Sequence, residues 1–267
     1  MTATATAIER VRARSADTRR VPLSREVRVE LRKMFDTRSG FWLMASIAIA
    51  GLGASIAVVA FAPDSDLTYY TFTKAIGFPI TVILPIIALL SITGEWSQRS
   101  GLTTFTLVPD RKRVILAKTI SSITVAIASM LFAFLVGAVG NLVGSTIAGT
   151  SLVWDMSIGH AATIVLGNLL SLSIGTMLGM LIRNSPGALV AYFVYALLLP
   201  NLTELLATSS PSFRHAQPWV DLNFDQGALF EGTMTGAKWA HLAVAVTIWL
   251  VVPGILGVRR VMRAEVK

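Results

Sequence analysis

Long apolar blocks alternate with short polar stretches along this chain, and the block length decides the reading. Six blocks, at 40–62, 75–93, 114–143, 158–182, 187–206 and 239–258, reach or approach the length that crosses a hydrocarbon core. About 20 apolar residues at 1.5 Å rise are needed for that. The third block is long enough to tilt or protrude. Ahead of them, Leu23, Val27, Leu31, Met34 and Phe35 recur at helical spacing, with Arg25, Arg28, Arg32 and Lys33 on the other face. This predicts a basic amphipathic helix over 22–39, lying at the inner headgroup boundary or docked on protein. The expected fold is an all-α integral membrane protein with six transmembrane helices and an N-terminal amphipathic interfacial helix. A disordered basic cytoplasmic tail at 1–21, a membrane domain at 40–258 and a basic cytoplasmic tail at 259–267 complete the expected organisation.

Charge orients the layout. With both termini cytoplasmic, 20 of the 23 Lys and Arg fall inside and only Lys74, Arg214 and Lys238 fall outside. Basic residues are retained on the cytoplasmic side because their translocation is unfavourable. An odd number of spans would place one basic cluster on the wrong side. The net charge of +8 therefore reads as this bias rather than as a nucleic-acid footprint. Residues 1–21 hold five Arg but no short apolar run with a cleavage site, so no cleaved signal is expected. Trp42, Tyr69, Tyr70, Trp96, Trp154 and Trp239 sit near span ends, as interfacial aromatics do.

Composition narrows the chemistry. Charged residues make up 14% of the chain, against about 25% in soluble domains. No stretch outside the spans is long enough for a soluble catalytic domain. Cysteine is absent, so no disulfide or thiolate site exists. His160, His215 and His241 lack metal-ligand spacing. There is no G-x-S-x-G, no H-E-x-x-H and no G-x-x-x-x-G-K-[ST]. The chain is not expected to be an enzyme by itself, and any ATP that powers it must bind another subunit.

The loop 94–113 is the richest segment. It mixes Leu102, Phe105 and Leu107 with charge before Pro109 stops it. A short helix that offers Leu102 and Phe105 to a protein partner explains the apolar residues and the length; folding back on the membrane surface is the other reading. Glu95, Gly101, Thr103, Leu107, Pro109, Arg111 and Lys118 together resemble the cytoplasmic-loop pattern of ABC-2-type permeases, the transmembrane subunits of one class of ABC transporter. The match departs at Gly101-Leu102-Thr103, where that family often has Gly and Thr adjacent. The segment 30–42 is similar to the family's interfacial helix running into span one.

The resemblance implies a coupling helix over 97–108 that docks on an ABC ATPase subunit, with Glu95, Arg99, Gly101, Leu102, Thr103 and Phe105 as coupling residues. It implies a second permease copy or homologous permease, with ATP and Mg on the partner ATPase and no cofactor in this chain. It also implies that spans two and five line the substrate path, and that 201–237 holds short re-entrant helices at the external mouth. Phe78, Ile83, Pro85, Tyr192, Tyr195 and Glu204 are the path candidates.

The residues touch the same places independently. Pro79 and Pro85 interrupt span two, and each removes a backbone hydrogen bond. Such helices line cavities or simply pack on neighbours. Glu204 lies just beyond Pro200-Asn201, either at membrane depth as a functional carboxylate or in water at the outer interface. Gly167, Ser171, Gly175 and Gly179 form a small-residue stripe on span four, which permits close helix approach. Whether the stripe meets the same chain or a second subunit is not legible. The expected function is a permease that exports an apolar or amphipathic substrate across the plasma membrane of a bacterium, with the lipid bilayer as solvent and no nucleic-acid partner. The alternative is a self-sufficient secondary transporter or channel, which should carry ionisable residues in mid-span.

Overall fold

The computed structural model describes residues 22–97 and 110–263. Helix α1 (Leu23–Asp36) leads through an extended Thr37 into α2 (Arg38–Phe61), whose second residue pair is tied by Gly40 N–H donating to Thr37 Oγ1 at 3.1 Å. A 3₁₀ turn (Asp64–Asp66) precedes α3 (Tyr69–Ser97), and α4 (Arg111–Ala148) follows the loop. Helix α5 (Ile158–Ile182) ends at Arg183, whose φ of 54° turns the chain sharply into span five. That span is α6 (Ser185–Phe193), a π-helical turn (Val194–Leu198) and α7 (Leu199–Ser209). Two short helices, α8 (Pro211–Val220) and α9 (Leu222–Phe230), come next. Span six is α10 (Gly236–Val246), a second π turn (Thr247–Val251) and α11 (Val252–Arg263).

Six helical stretches are long and apolar enough to cross a membrane: Gly40–Phe61, Tyr69–Ser97, Arg111–Ala148, Ile158–Ile182, Ser185–Ser209 and Gly236–Arg263. Among the described residues there is no strand. The chain is a multi-pass α-helical membrane protein. Its helices run up to several residues past the apolar blocks at the ends, because capping and packing carry the backbone beyond the hydrophobic signal. Helix α4 is the extreme case, at 38 residues or about 57 Å.

Helix α3 is the hub and packs on α2, α4, α5 and α6. Its buried side chains Phe72, Ile76, Ile80, Leu84 and Leu89 are all but inaccessible. The small-residue stripe on α5 explains how α5 reaches it. A Cβ on Gly175 would collide with the carbonyl of Pro85, and one on Gly179 would press on Leu89 O and Ile92. The other half of the stripe faces α9: Gly167 lies under the Phe230 ring, and Ser171 Oγ is 3.3 Å from Gln226 Nε2. The stripe is thus consumed within one chain.

Proline in α3 leaves carbonyls without their usual partners, and one is met from span five. Pro85 cannot donate to Thr81 O, and Tyr192 Oη donates toward Thr81 O at 3.5 Å and Val82 O at 3.3 Å. Glu95, Lys118 and Arg111 cluster at the end of the bundle that carries α1 and the close of α11. At that end Arg111 Nη1 donates to Val261 O at 3.1 Å and Arg260 Nη1 to Leu181 O at 3.1 Å. The opposite end is closed by Tyr69 N–H donating to Val153 O and Tyr70 N–H to Asp155 Oδ1.

Candidate functional site

Four charged side chains meet where α1, α3 and α4 converge. Lys118 Nζ donates to Glu30 Oε2 at 2.6 Å and lies 3.0 Å from Glu95 Oε1. Lys33 Nζ donates to Glu30 Oε1 at 2.7 Å and to Glu95 Oε1 at 3.5 Å. Two ammonium groups and two carboxylates alternate, so the quartet is neutral. Glu30, Glu95 and Lys118 are buried, while the Lys33 side chain keeps 46% of its surface. Buried charges are tolerated only when paired and hydrogen-bonded, as these are.

Local sequence explains the placement. On α1 the spacing of Val27, Glu30, Leu31 and Met34 puts Glu30 on the apolar face, which docks on α4. Ser121 Oγ donates to Val27 O at 3.2 Å across that contact, and Arg113 pairs with Glu26 at 3.1 Å. Phe35 and Val29 stay about half exposed. Burial works against the Lys33 charge, but the Glu30 hydrogen bond and the Glu30 and Glu95 charges outweigh it, and the ammonium titrates above the ordinary lysine range. The quartet contains no nucleophile–base pair. What it does is clamp three elements at the point where the chain leaves α3 for the loop and re-enters α4.

Of the coupling residues read from the sequence, Glu95 is therefore part of this cluster. Arg99, Gly101, Leu102, Thr103 and Phe105 lie outside the described residues. Glu30 and Lys33 were not singled out by sequence reasoning, although a Glu on the apolar stripe of α1 was a usable signal. The path candidates differ in their exposure. Phe78 projects outward at 76% exposure and Glu204 is exposed. Pro85 and Tyr192 are buried against α5 and α3, and Ile83 and Tyr195 are half-buried. Each His has its own contact: His160 Nε2 lies 2.8 Å from Phe230 O, His215 Nδ1 lies 2.8 Å from Pro211 O, and His241 packs edge-on against Trp219.

The end of spans four to six opposite the α1 cluster holds a second polar cluster that the sequence did not flag. Asp221 caps α9, accepting from the N–H groups of Asn223 and Phe224, and Gln217 Nε2 donates to its other oxygen at 3.3 Å. Asp225 follows one turn later and is 3% exposed. No protein-family model and no curated protein matches this chain.

Proposed function

We propose that the chain is the transmembrane permease subunit of an ATP-driven transporter of the ABC-2 type, with both termini cytoplasmic. The observation that carries the reading is the position of Glu95 and Lys118. These two residues contribute to the loop resemblance, and they stand 3.0 Å apart in a buried ion cluster at the base of that loop. A partner that pushes on 98–109 would move α1, α3 and α4 together through this clamp. The loop would dock by Leu102 and Phe105 on an ATPase subunit that binds ATP and Mg. Helix α1 would lie at the cytoplasmic headgroup boundary, and α8 and α9 would be re-entrant helices at the outer mouth.

The proposed substrate is apolar or amphipathic, exported between two permease chains in the plasma membrane of a bacterium. Support comes from the outward face of span five, where Val190, Val194, Leu197 and Leu198 are exposed, and from Phe78 on span two. Apolar burial is the main attraction such surfaces offer. The competing secondary transporter should carry ionisable residues in mid-span. Within the six candidate spans the Asp, Glu, Lys and Arg residues lie near span ends. The test is affinity purification of the tagged chain from its native membranes. An ATPase subunit that co-purifies stoichiometrically supports the reading, and ATP hydrolysis by the chain alone overturns it.

A further inference from the structure

We propose that Asp225 is a proton-binding site, paired with Asp221, whose proton seats the α8–α9 turn between spans five and six. The inference does not depend on the ATPase reading. It rests on a buried acid with an unmet oxygen, one helical turn beyond Asp221 at an irregular joint.

The joint is built from both π-helical turns. Tyr195 in the first and Trp249 in the second are in ring contact, with centroids 5.7 Å apart. A π turn breaks the regular hydrogen-bond ladder, and such turns recur at functional positions. The α8–α9 turn touches each of them. Trp249 Nε1 donates to Val220 O at 2.6 Å, and Asn223 Nδ2 reaches Tyr195 O at 3.5 Å. Asp221 lies between Val220 and Leu222 and within electrostatic reach of Tyr195. Helix α9 then runs along α5, where Gln226 Nε2 lies 3.4 Å from Gly167 O, nine residues into that helix.

Asp225 sits one residue before this contact. Its Oδ2 is buried and has no hydrogen-bond partner. A carboxylate oxygen in that condition carries an unmet desolvation cost, and protonation removes the charge that incurs it. Its neighbour offers no relief. The Asp221 oxygens are already engaged by Asn223 N–H, Phe224 N–H and Gln217.

Basic groups on the surrounding elements are occupied elsewhere. On α8, Arg214 Nε donates to Ala207 O and His215 meets Pro211 O. On α5, His160 meets Phe230 O. On α10 and just before it, Lys238 Nζ bonds Thr233 and His241 packs on Trp219. Span five contributes the Tyr195 hydroxyl, itself buried without a partner, and the exposed Glu204. Glu231 closes α9. Among the described residues, the charge that acts on Asp225 is that of Asp221.

Desolvation, then the Asp221 charge, raises Asp225 from 3.8 to about 7. The sign follows. The seated form holds the proton more tightly than the open form, so seating is strongest below the open-form value of 3.8. It weakens as pH rises, and the loss is complete once pH passes about 7.

The chain's lack of cysteine makes the test direct. The full chain carrying Leu222→Cys, a position 1% exposed on the seated turn, is purified in detergent and labelled with a thiol reagent between pH 5 and 8.5. Rates are normalised to the exposed Ser65→Cys, which removes the intrinsic pH dependence of the thiol. The expected ratio rises by up to about tenfold per pH unit and levels off above about 7. With Asp225→Asn added it stays flat. A flat ratio with Asp225 intact, or the same rise with Asp225→Asn, overturns the proposal. Suppression of labelling at high pH by added Ca²⁺ alone also overturns it, because a metal cation would then be the occupant. Infrared titration of the otherwise unaltered chain guards against a misfolded Leu222→Cys. A carboxylic-acid band that titrates near pH 7 and vanishes in Asp225→Asn is expected, and its absence at pH 6 sinks the idea.

Discussion

Lys118 is the residue on which the α1 end of the bundle depends. Its ammonium touches both buried carboxylates, whereas Lys33 bridges the same pair from a half-exposed position. Lys118→Met takes a shared ammonium from two buried carboxylates, Glu30 and Glu95. Breaking a buried pair costs about 3–5 kcal/mol. Lys33→Met should cost less than about 1 kcal/mol, because solvent screens the loss. Thermal melting of the two purified variants in one detergent checks the contrast, and equal shifts would mean the burial pattern does not set the energetics. Adding Glu95→Gln to Lys118→Met should recover part of the loss, since one of the two carboxylates that lose the Lys118 ammonium is neutralised. A second residue-scale contrast lies on the small-residue surfaces. Gly175→Ala forces α5 away from the Pro85 carbonyl and should cost about 1–3 kcal/mol. Gly53→Ala meets nothing within 4 Å and should change stability by no more than about 1 kcal/mol.

At the scale of elements, proline and tyrosine act as a pair. Pro85 frees a carbonyl in α3, and Tyr192 of span five meets it. Tyr192→Phe should cost about 0.5–1.5 kcal/mol where Pro85 is present. With Pro85→Ala, the new N–H can serve Thr81 O, and the cost of Tyr192→Phe should fall. A double-mutant cycle on melting temperature measures the difference, and no coupling between the two sites would dismiss the pairing. This contact also shows what the sequence could and could not say. The six spans were legible because block length and apolar content are properties of a segment alone, and span four was placed to the residue, 158–182. Two prolines signalled carbonyls without backbone donors, although α3 runs unbroken over Tyr69–Ser97. That Tyr192 would be spent on one of the carbonyls they free depends on how span five packs. The same limit applies to 201–237. The resemblance implied short helices there, but not that Ser210 and Asp221 would cap them. Asp221 and Asp225 are ordinary loop acids until α9 folds against α5. The π turns leave no periodic trace over five residues each.

The whole molecule has an uneven surface, and that bears on how two copies would meet. The stripe on α5 looked from sequence like a possible helix–helix interface of either kind. Its glycines are filled by Pro85, Leu89, Ile92 and Phe230 of the same chain, so it has no face left to offer. Span five is the opposite case. Only 6% of its most apolar window is buried, and Val190, Phe193, Val194, Leu197 and Leu198 line one shallow outward groove. In a bilayer that face meets lipid or another protein chain. If two copies of this chain join along it, Val194→Cys in the naturally cysteine-free chain should crosslink to its counterpart in native membranes, and Leu197→Cys or Leu198→Cys should do so with helical periodicity. Gly167→Cys and Gly175→Cys should not, provided those variants insert. The readout is a dimer band on a non-reducing gel, lost on reduction. Crosslinks through Gly175→Cys with none along span five would mean that the α5 stripe opens to a partner, and the proposed path between spans two and five would have to be given up with it.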